Sequence, residues 1–203
     1  MKRLAIIGAS GHGKVVADIA LALGFESITF YDDKISDIKS FGQFNIVGTT
    51  DDAIRDSKPY DDAIVAIGNA QARERIQKQL VKISSAIVHP AAVIGSNVKL
   101  GVGTVVMPGA IINADVQIGA GVIVNSGAVI EHDCCVGDFA HICPNAAIAG
   151  GVTVGKHSWI GIGASVVQSI VIGDHVTLGA GAVVVRKVAD NLTVIGTPAK
   201  PTQ

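Results

Sequence analysis

Charge is scarce in this chain. Of its 203 residues, 16% are Asp, Glu, Lys or Arg, and the formal net charge is −1. No basic stripe is left to follow a nucleic acid and no basic patch to hold a membrane surface, so neither partner is expected. Long apolar runs are missing too; none approaches the ~20 residues of a spanning helix. The N-terminus has a charge and then an apolar run, but Gly8 ends that run too soon for a signal peptide. Cysteines are few: Cys134, Cys135 and Cys143. An odd count without framework spacing points to reduced thiols and a cytoplasmic protein. Cys134 and Cys135 are adjacent, with no C-x-x-C and no second pair, so no metal site is expected and the thiols read as small apolar fillers.

What the chain has instead is a period of six. From Val88 through Ile94, Leu100 and Val106 to Leu178 and Val184, every sixth residue is aliphatic. The position four further on is small or aliphatic throughout, as in Ala110, Val122, Cys134 and Ala146. Neither helical nor simple strand periodicity produces this series, whereas a parallel β-helix does. Three hexapeptides make a coil of about 18 residues, and coils stack ~4.8 Å apart. Residues 88–188 then form five to six coils, a prism roughly 25–28 Å long. Aliphatic burial at roughly 1.5–3 kcal/mol per side chain drives the stacking. Glycines that follow the aliphatic position, such as Gly95, Gly101, Gly137 and Gly155, are expected to supply the positive φ of a sharp corner. The series has no gap, so no long loop leaves the prism.

Residues 1–80 read differently. Residues 4–8 form a buried strand that enters Gly8-Ala9-Ser10-Gly11-His12-Gly13-Lys14. A helical pattern follows and ends at Gly24; then come a strand over Ser27–Tyr31, the pair Asp32-Asp33 and a short insertion. A third strand over 63–67 ends in Gly68-Asn69, and a charged helix over 70–82 leads into the repeats. This βαβ alternation predicts a small parallel sheet of Rossmann-like topology. The glycine loop lies where backbone N–H groups and a helix N-terminus hold phosphate. Its spacing is G-x-x-G-x-G, and the acidic Asp32 follows at the distance where dinucleotide folds bind ribose. The domain is too short for both halves of a dinucleotide site, which favours a nucleoside diphosphate over NAD. His12 and Lys14 are placed to meet the diphosphate, or Lys14 is a solvated first-turn lysine. Two domains result, 1–83 and 84–203.

One stretch of the repeats carries chemistry: Asn125, then Glu131-His132-Asp133-Cys134, then His141, then Ala149-Gly150-Gly151. His132 follows the inward Ile130 by two residues and projects outward. His141 is half a coil further on, on another face, so within one chain the two histidines diverge. They converge if prisms pack side by side, which predicts an oligomer with sites between chains and three-fold closure. A neutral imidazole is a suitable general base for an amine or hydroxyl attacking a thioester, worth roughly 10²–10⁴ in rate. Asp133 or Glu131 would fix its tautomer, provided a corner turns one of them toward the ring.

The hexapeptide series resembles the β-helix of the hexapeptide-repeat acyltransferases. The G-x-S-G-H-G loop, the E-H-D-C stretch, the second histidine, A-G-G and the ending Gly196-Thr197-Pro198-Ala199-Lys200 resemble the bacterial nucleotide-sugar acetyltransferases. These include UDP-4-amino-sugar N-acetyltransferases and sialic acid O-acetyltransferase relatives. The resemblance implies an α/β Rossmann-like domain followed by an all-β, left-handed parallel β-helix, although the general crossover rule favours the other hand. It implies a homotrimer that moves acetyl from acetyl-CoA to a nucleotide-linked sugar. His132 matches the catalytic base, with Asp133 where the family commonly has Glu. Asn125 and His141 match residues lining the acetyl group. The Gly150 N–H matches the oxyanion contact, worth about 2.7–4 kcal/mol. Ser10, Gly11, His12, Asp32 and Asp33 match nucleotide-sugar contacts, with Lys14, Gly68 and Asn69 in the same substrate set. Ile162 and Ala180 match the pantetheine groove, and Lys187 and Lys200 meet the CoA phosphates or are surface charge. Direct transfer is the expected mechanism, against a covalent route through Cys135. The competing readings are an O-acetyltransferase and a non-catalytic nucleotide-sugar-binding solenoid.

Overall fold

A computed structural model describes residues 2–34, 40–55 and 60–202. The first layer is a five-stranded sheet built from β1 (Arg3–Ile7), β2 (Ser27–Tyr31), β3 (Ser40–Phe41), β4 (Phe44–Gly48) and β5 (Asp62–Val65), in the order β3-β4-β2-β1-β5. All pairs are parallel except β3–β4. The helices are α1 (Gly11–Ala22), α2 (Thr50–Arg55) and α3 (Ala70–Gln77). The insertion after Asp33 therefore holds a hairpin partner and a fourth parallel strand, which the sequence pattern did not resolve. Phe44–Gly48 reads Phe-Asn-Ile-Val-Gly, with adjacent aliphatic residues and a terminal glycine, so it shows no period-two alternation against the turn residues around it. The third strand begins one residue earlier than expected and ends sooner. Helix α3 stops at Gln77, where i→i−3 bonds from Gln79 and Leu80 tighten the chain.

From residue 87 the chain forms three parallel sheets, one per face of a prism. Strands pair with their copies one coil on, Ile111 with Val129 and Val129 with Ala147, which fixes the 18-residue coil. The first face runs from Ile87–Val88 to Thr193–Ile195, with the short Lys200–Pro201 strand added antiparallel beyond it. The second face runs from Val93–Ile94 to Val183–Val184, and the third from Lys99–Leu100 to Val171–Ile172. The sixfold aliphatic positions and those four further on fill the interior, from Val106 and Ala110 to Ala182 and Val184. Polar members of the series are satisfied inside it: Thr104 Oγ1 donates to the Gly119 carbonyl, and Ser158 Oγ to that of Gly173. Only the first coil lies open, with Ile94 exposed because no coil covers it.

The glycines after the aliphatic positions do not serve as expected. They do not have positive φ; they lie where the next coil's backbone passes. A Cβ on Gly137 would lie 2.6 Å from Lys156 N, and one on Gly95 2.7 Å from Ala114 N. Positive φ falls two residues later, and many side chains accept it: Asn97, Asp115, Asp133, Asn145 and His157 all sit between 56° and 61°. Asn and Asp tolerate that region best among residues with a Cβ.

The two domains share a core. Ile87, Val105 and Ile123, outer residues of the first face, pack with Val16, Ile19 and Phe30 of the sheet domain. The sheet domain thus covers one end of the first face and leaves the rest open.

Candidate active site

His132 stands at a corner of the prism. The next residue, Asp133, has φ of 59°, and this turn brings its carboxylate round to the ring: His132 Nδ1 is 2.7 Å from Asp133 Oδ2. Glu131 instead accepts from Asn113 Nδ2 at 2.8 Å, one coil away. Asp133 is therefore the hydrogen-bonding partner that the sequence left undecided. The pair is exposed, and the hydrogen bond to Asp133 holds the His132 pKa above its ordinary value. With the Nδ1 proton directed at Asp133, Nε2 offers a lone pair. Beside that ring lies Gly150, where a Cβ would come 2.7 Å from His132 Nε2, so only glycine leaves the imidazole its place. The Gly150 N–H has no backbone partner among the described residues, while the next N–H, of Gly151, donates to the His132 carbonyl at 2.9 Å. An imidazole nitrogen and an unpartnered N–H thus share one corner.

A second group lies on the first face. His141 is buried, its Nε2 3.0 Å from Asn125 Nδ2. Ser126 N donates to Asn125 Oδ1 at 2.8 Å, which fixes the amide so that its NH₂ faces the imidazole. Trp159 meets His141 edge-on at 4.4 Å between ring centres. Burial, then the Arg73 charge, push His141 down to about 3 and His12 down to about 4. Both rings are neutral near pH 7, and His141 Nδ1 and His12 Nε2 are buried without a hydrogen bond. Among the described residues, His132 has no hydrogen bond or ring contact with either of them.

A residue that helps join the domains was missed in the sequence. Arg73, 1% exposed, donates to four carbonyls: Ile67 and Gly68 in the sheet domain, Gly121 and Phe139 in the prism. It has no ion pair with a carboxylate among the described residues, and burial lowers its pKa to about 10. The available signal was spacing: Arg73, Ile76, Gln77 and Leu80 occupy the inward stripe of the charged helix.

The glycine loop is built to present N–H groups. Gly8 has φ of 112°, and a Cβ there would lie 2.8 Å from the Ala66 carbonyl oxygen. Ser10 caps α1 in an extended conformation without a side-chain capping bond, and the first intrahelical bond shown is from Lys14 N to the Ser10 carbonyl. The N–H groups of residues 11–13, with the Ser10 hydroxyl, are therefore available to an anion. Lys14 turns aside, its Nζ 5.0 Å from the Phe41 ring centre. Asp32 accepts from Ala9 N and Lys34 N, and Asp33 accepts from Thr50 N, so both carboxylates already brace the loops around the sheet edge. Asn69 caps α3 by accepting from Ala72 N, and Gly68 gives its carbonyl to Arg73. Ile162 and Ala180 stand exposed on one edge, a coil apart. Lys187 and Lys200 come together around a cavity of about 290 Å³ at the far end of the prism. Among the described residues no cluster of His, Cys, Asp and Glu is arranged to hold a metal.

Residues 3–80 match the family model for the PglD N-terminal domain, and residues 91–126 and 151–186 match the bacterial transferase hexapeptide (six repeats). No curated protein matches the chain. Solved structures do. The acetyltransferase domain of PglB from Neisseria gonorrhoeae FA1090 is 40% identical, with 100% of each chain covered and a TM-score of 0.94. That domain is also known in complex with acetyl coenzyme A. PerB from Caulobacter crescentus, in complex with CoA and GDP-perosamine, is 35% identical over 100% of this chain and 98% of its own, with a TM-score of 0.93. A further complex describes that enzyme as a GDP-perosamine N-acetyl transferase. With these similarities across both domains, the chain belongs to the hexapeptide-repeat acetyltransferases that carry a PglD-type N-terminal domain.

Proposed function

We propose that this protein transfers acetyl from acetyl-CoA to the amine of a nucleotide-linked 4-amino sugar, with residues 1–83 holding the nucleotide and 84–203 performing the transfer. The observation that carries this reading is the His132–Asp133 pair beside the unpartnered Gly150 N–H. The neutral amine attacks the thioester carbonyl. His132 Nε2 takes the proton that the new C–N bond releases, and Gly150 N–H stabilises the oxyanion. The C–S bond then breaks, and the imidazolium returns the proton to the CoA thiolate. Transfer is direct. Cys134 and Cys143 are buried with thiols pushed upward, Cys143 to about 12, which disfavours both as nucleophiles; Cys135 is exposed, and a burst of enzyme-bound acetyl in a single turnover would show a covalent route through it and overturn direct transfer.

The working unit is a homotrimer. The outer column of the second face is almost wholly apolar: Val93, Ile111, Val129, Ala147, Ser165 and Val183. The third face carries Lys99, Gln117, Cys135 and Thr153 in its column, with Val171 at its end. An apolar face suits a neighbouring copy, and side-by-side prisms bring His132 of one chain toward the His141–Asn125 pair of the next. No described helix is long and apolar enough to cross a membrane, and we place the reaction in the cytoplasm. The test is an acetyl-CoA turnover assay on UDP-, dTDP- and GDP-linked 4-amino-4,6-dideoxy sugars and free sialic acid. Turnover of a nucleotide amino sugar with stoichiometric CoA release is expected. Turnover confined to a hydroxyl acceptor would overturn the amine assignment.

A further inference from the structure

Where the sheet domain ends, the first face opens into a cleft of about 500 Å³, within the roughly 300–1,000 Å³ of small-molecule sites. Residues 68–71 roof it; Trp159 and Thr177, paired one coil apart, form its floor; His157 and His175 form its wall. The wall is held in place. The His157 and His175 rings lie 4.7 Å apart, and His157 Nε2 is 2.8 Å from Glu74 Oε2, an ion-pair distance outside hydrogen-bond angles. The floor is open: Trp159 is 40% exposed, on a face whose upper residues are sealed by the sheet domain. Among the described residues, Trp159 Nε1, Thr177 Oγ1 and His175 Nδ1 make no side-chain hydrogen bond.

An aromatic plane rimmed by an N–H, a hydroxyl and an imidazole suits a pyranose: its C–H face lies on the ring, and its hydroxyls meet the rim. The cleft is also next to the chemistry, since Trp159 touches His141, and His141 contacts Asn125. In a nucleotide sugar, the ring bearing the amine lies next to the acetyl carbon, whereas the base is two phosphates and a ribose away. The family resemblance gives the pantetheine chain the edge at Ile162 and Ala180, which are exposed here. Resting on the transfer reaction above, we propose that this cleft holds the sugar ring of the substrate, with Trp159 as its platform and His175 contacting a ring hydroxyl. His157, fixed beside Glu74, is a positioning residue for His175.

Trp159 is the only tryptophan in the chain, so its emission reports on this cleft alone. The experiment titrates the trimer with the nucleotide amino sugar that turns over best, with its nucleoside diphosphate and with CoA, following emission and calorimetric heat together. An emission change with the nucleotide sugar, and none with the other two, is expected. Binding of the nucleotide sugar with silent Trp159 emission would sink the cleft assignment while the transfer reaction stands. Equal changes with the diphosphate or with CoA would reassign the cleft to the base or to pantetheine and also overturn the proposal. If no nucleotide amino sugar binds or turns over, both readings fall together. Trp159→Ala should raise KM for the sugar on the order of tenfold, the cost of one buried aromatic contact, with KM for acetyl-CoA within about twofold. Trp159→Phe should recover most of the loss; no recovery and no change in sugar KM would both contradict the platform.

Discussion

The β-helix and the sheet domain are stabilised in different ways. In the prism each residue answers to its place in a six-residue period: inward aliphatic, close-approach glycine, or corner. Contacts repeat every coil, so a change at one coil is felt mainly by its neighbours. The sheet domain has no such repeat, and its attachment depends on single residues such as Arg73, whose partners lie up to 66 positions away in sequence. A periodic scaffold thus presents a site at a predictable corner, while a non-periodic one places it by a few long-range bonds.

The largest effect separates chemistry from scaffold. His132→Ala should cut turnover by roughly 10²–10⁴ and leave CoA affinity and thermal stability nearly unchanged, since the side chain is exposed at a corner. Enzyme assay and calorimetry on the same preparation check this. Arg73→Met should do the reverse, stripping a donor from four carbonyls at ~1–3 kcal/mol each where no water replaces it. A fall in Tm of more than about 5 °C is expected for a chain of this size, with the sheet domain's amides losing hydrogen-exchange protection before those of the prism. Uniform loss across both domains would contradict Arg73 as a main tie between them.

The two histidine environments give opposite pH signatures. Asp133 raises the His132 pKa, so the free base is lost as pH falls through that raised value. Asp133→Asn should move the acid limb of the kcat profile to lower pH. His12 and His141 are depressed, to about 4 and about 3. The unfolded chain takes up their protons below about 6.5, so stability is full above that pH. It falls on acidification at about 1.4 kcal/mol per pH unit for each histidine. Chemical unfolding from pH 7 to 4.5 measures this slope, and His141→Phe should flatten it. The smallest effect contrasts two glycines. Gly137→Ala forces a Cβ against the next coil, costing about 1–3 kcal/mol. Gly163→Ala, with φ of 64° and open space around it, costs about 1–2 kcal/mol, and Gly163→Asn less.

The same contrast decides what was legible in the sequence. The period placed the inward residues from Val106 to Val184, and His132 could be put outside because Ile130 is inside. The role of the glycines was misread: a period shows where a small residue is required, but close approach and positive φ both select glycine. The choice between Asp133 and Glu131 was hidden because it depends on a corner dihedral. In the sheet domain, the fourth parallel strand escaped notice because Phe44–Gly48 has no alternation of apolar and polar residues, and Arg73 because its partners are carbonyls, which leave no mark in a sequence.

The central claim is that each working site takes His132 from one chain and the His141–Asn125 pair from its neighbour. A His132→Ala chain and an Asn125→Ala/His141→Ala chain, each inactive alone, can be mixed by unfolding and joint refolding. In randomly assembled trimers of equal parts, about a quarter of the sites should recover both halves, restoring about that share of wild-type acetyl transfer. Activity no greater than the sum of the two separate preparations, in mixtures shown by mass spectrometry to contain mixed trimers, would contradict the shared site.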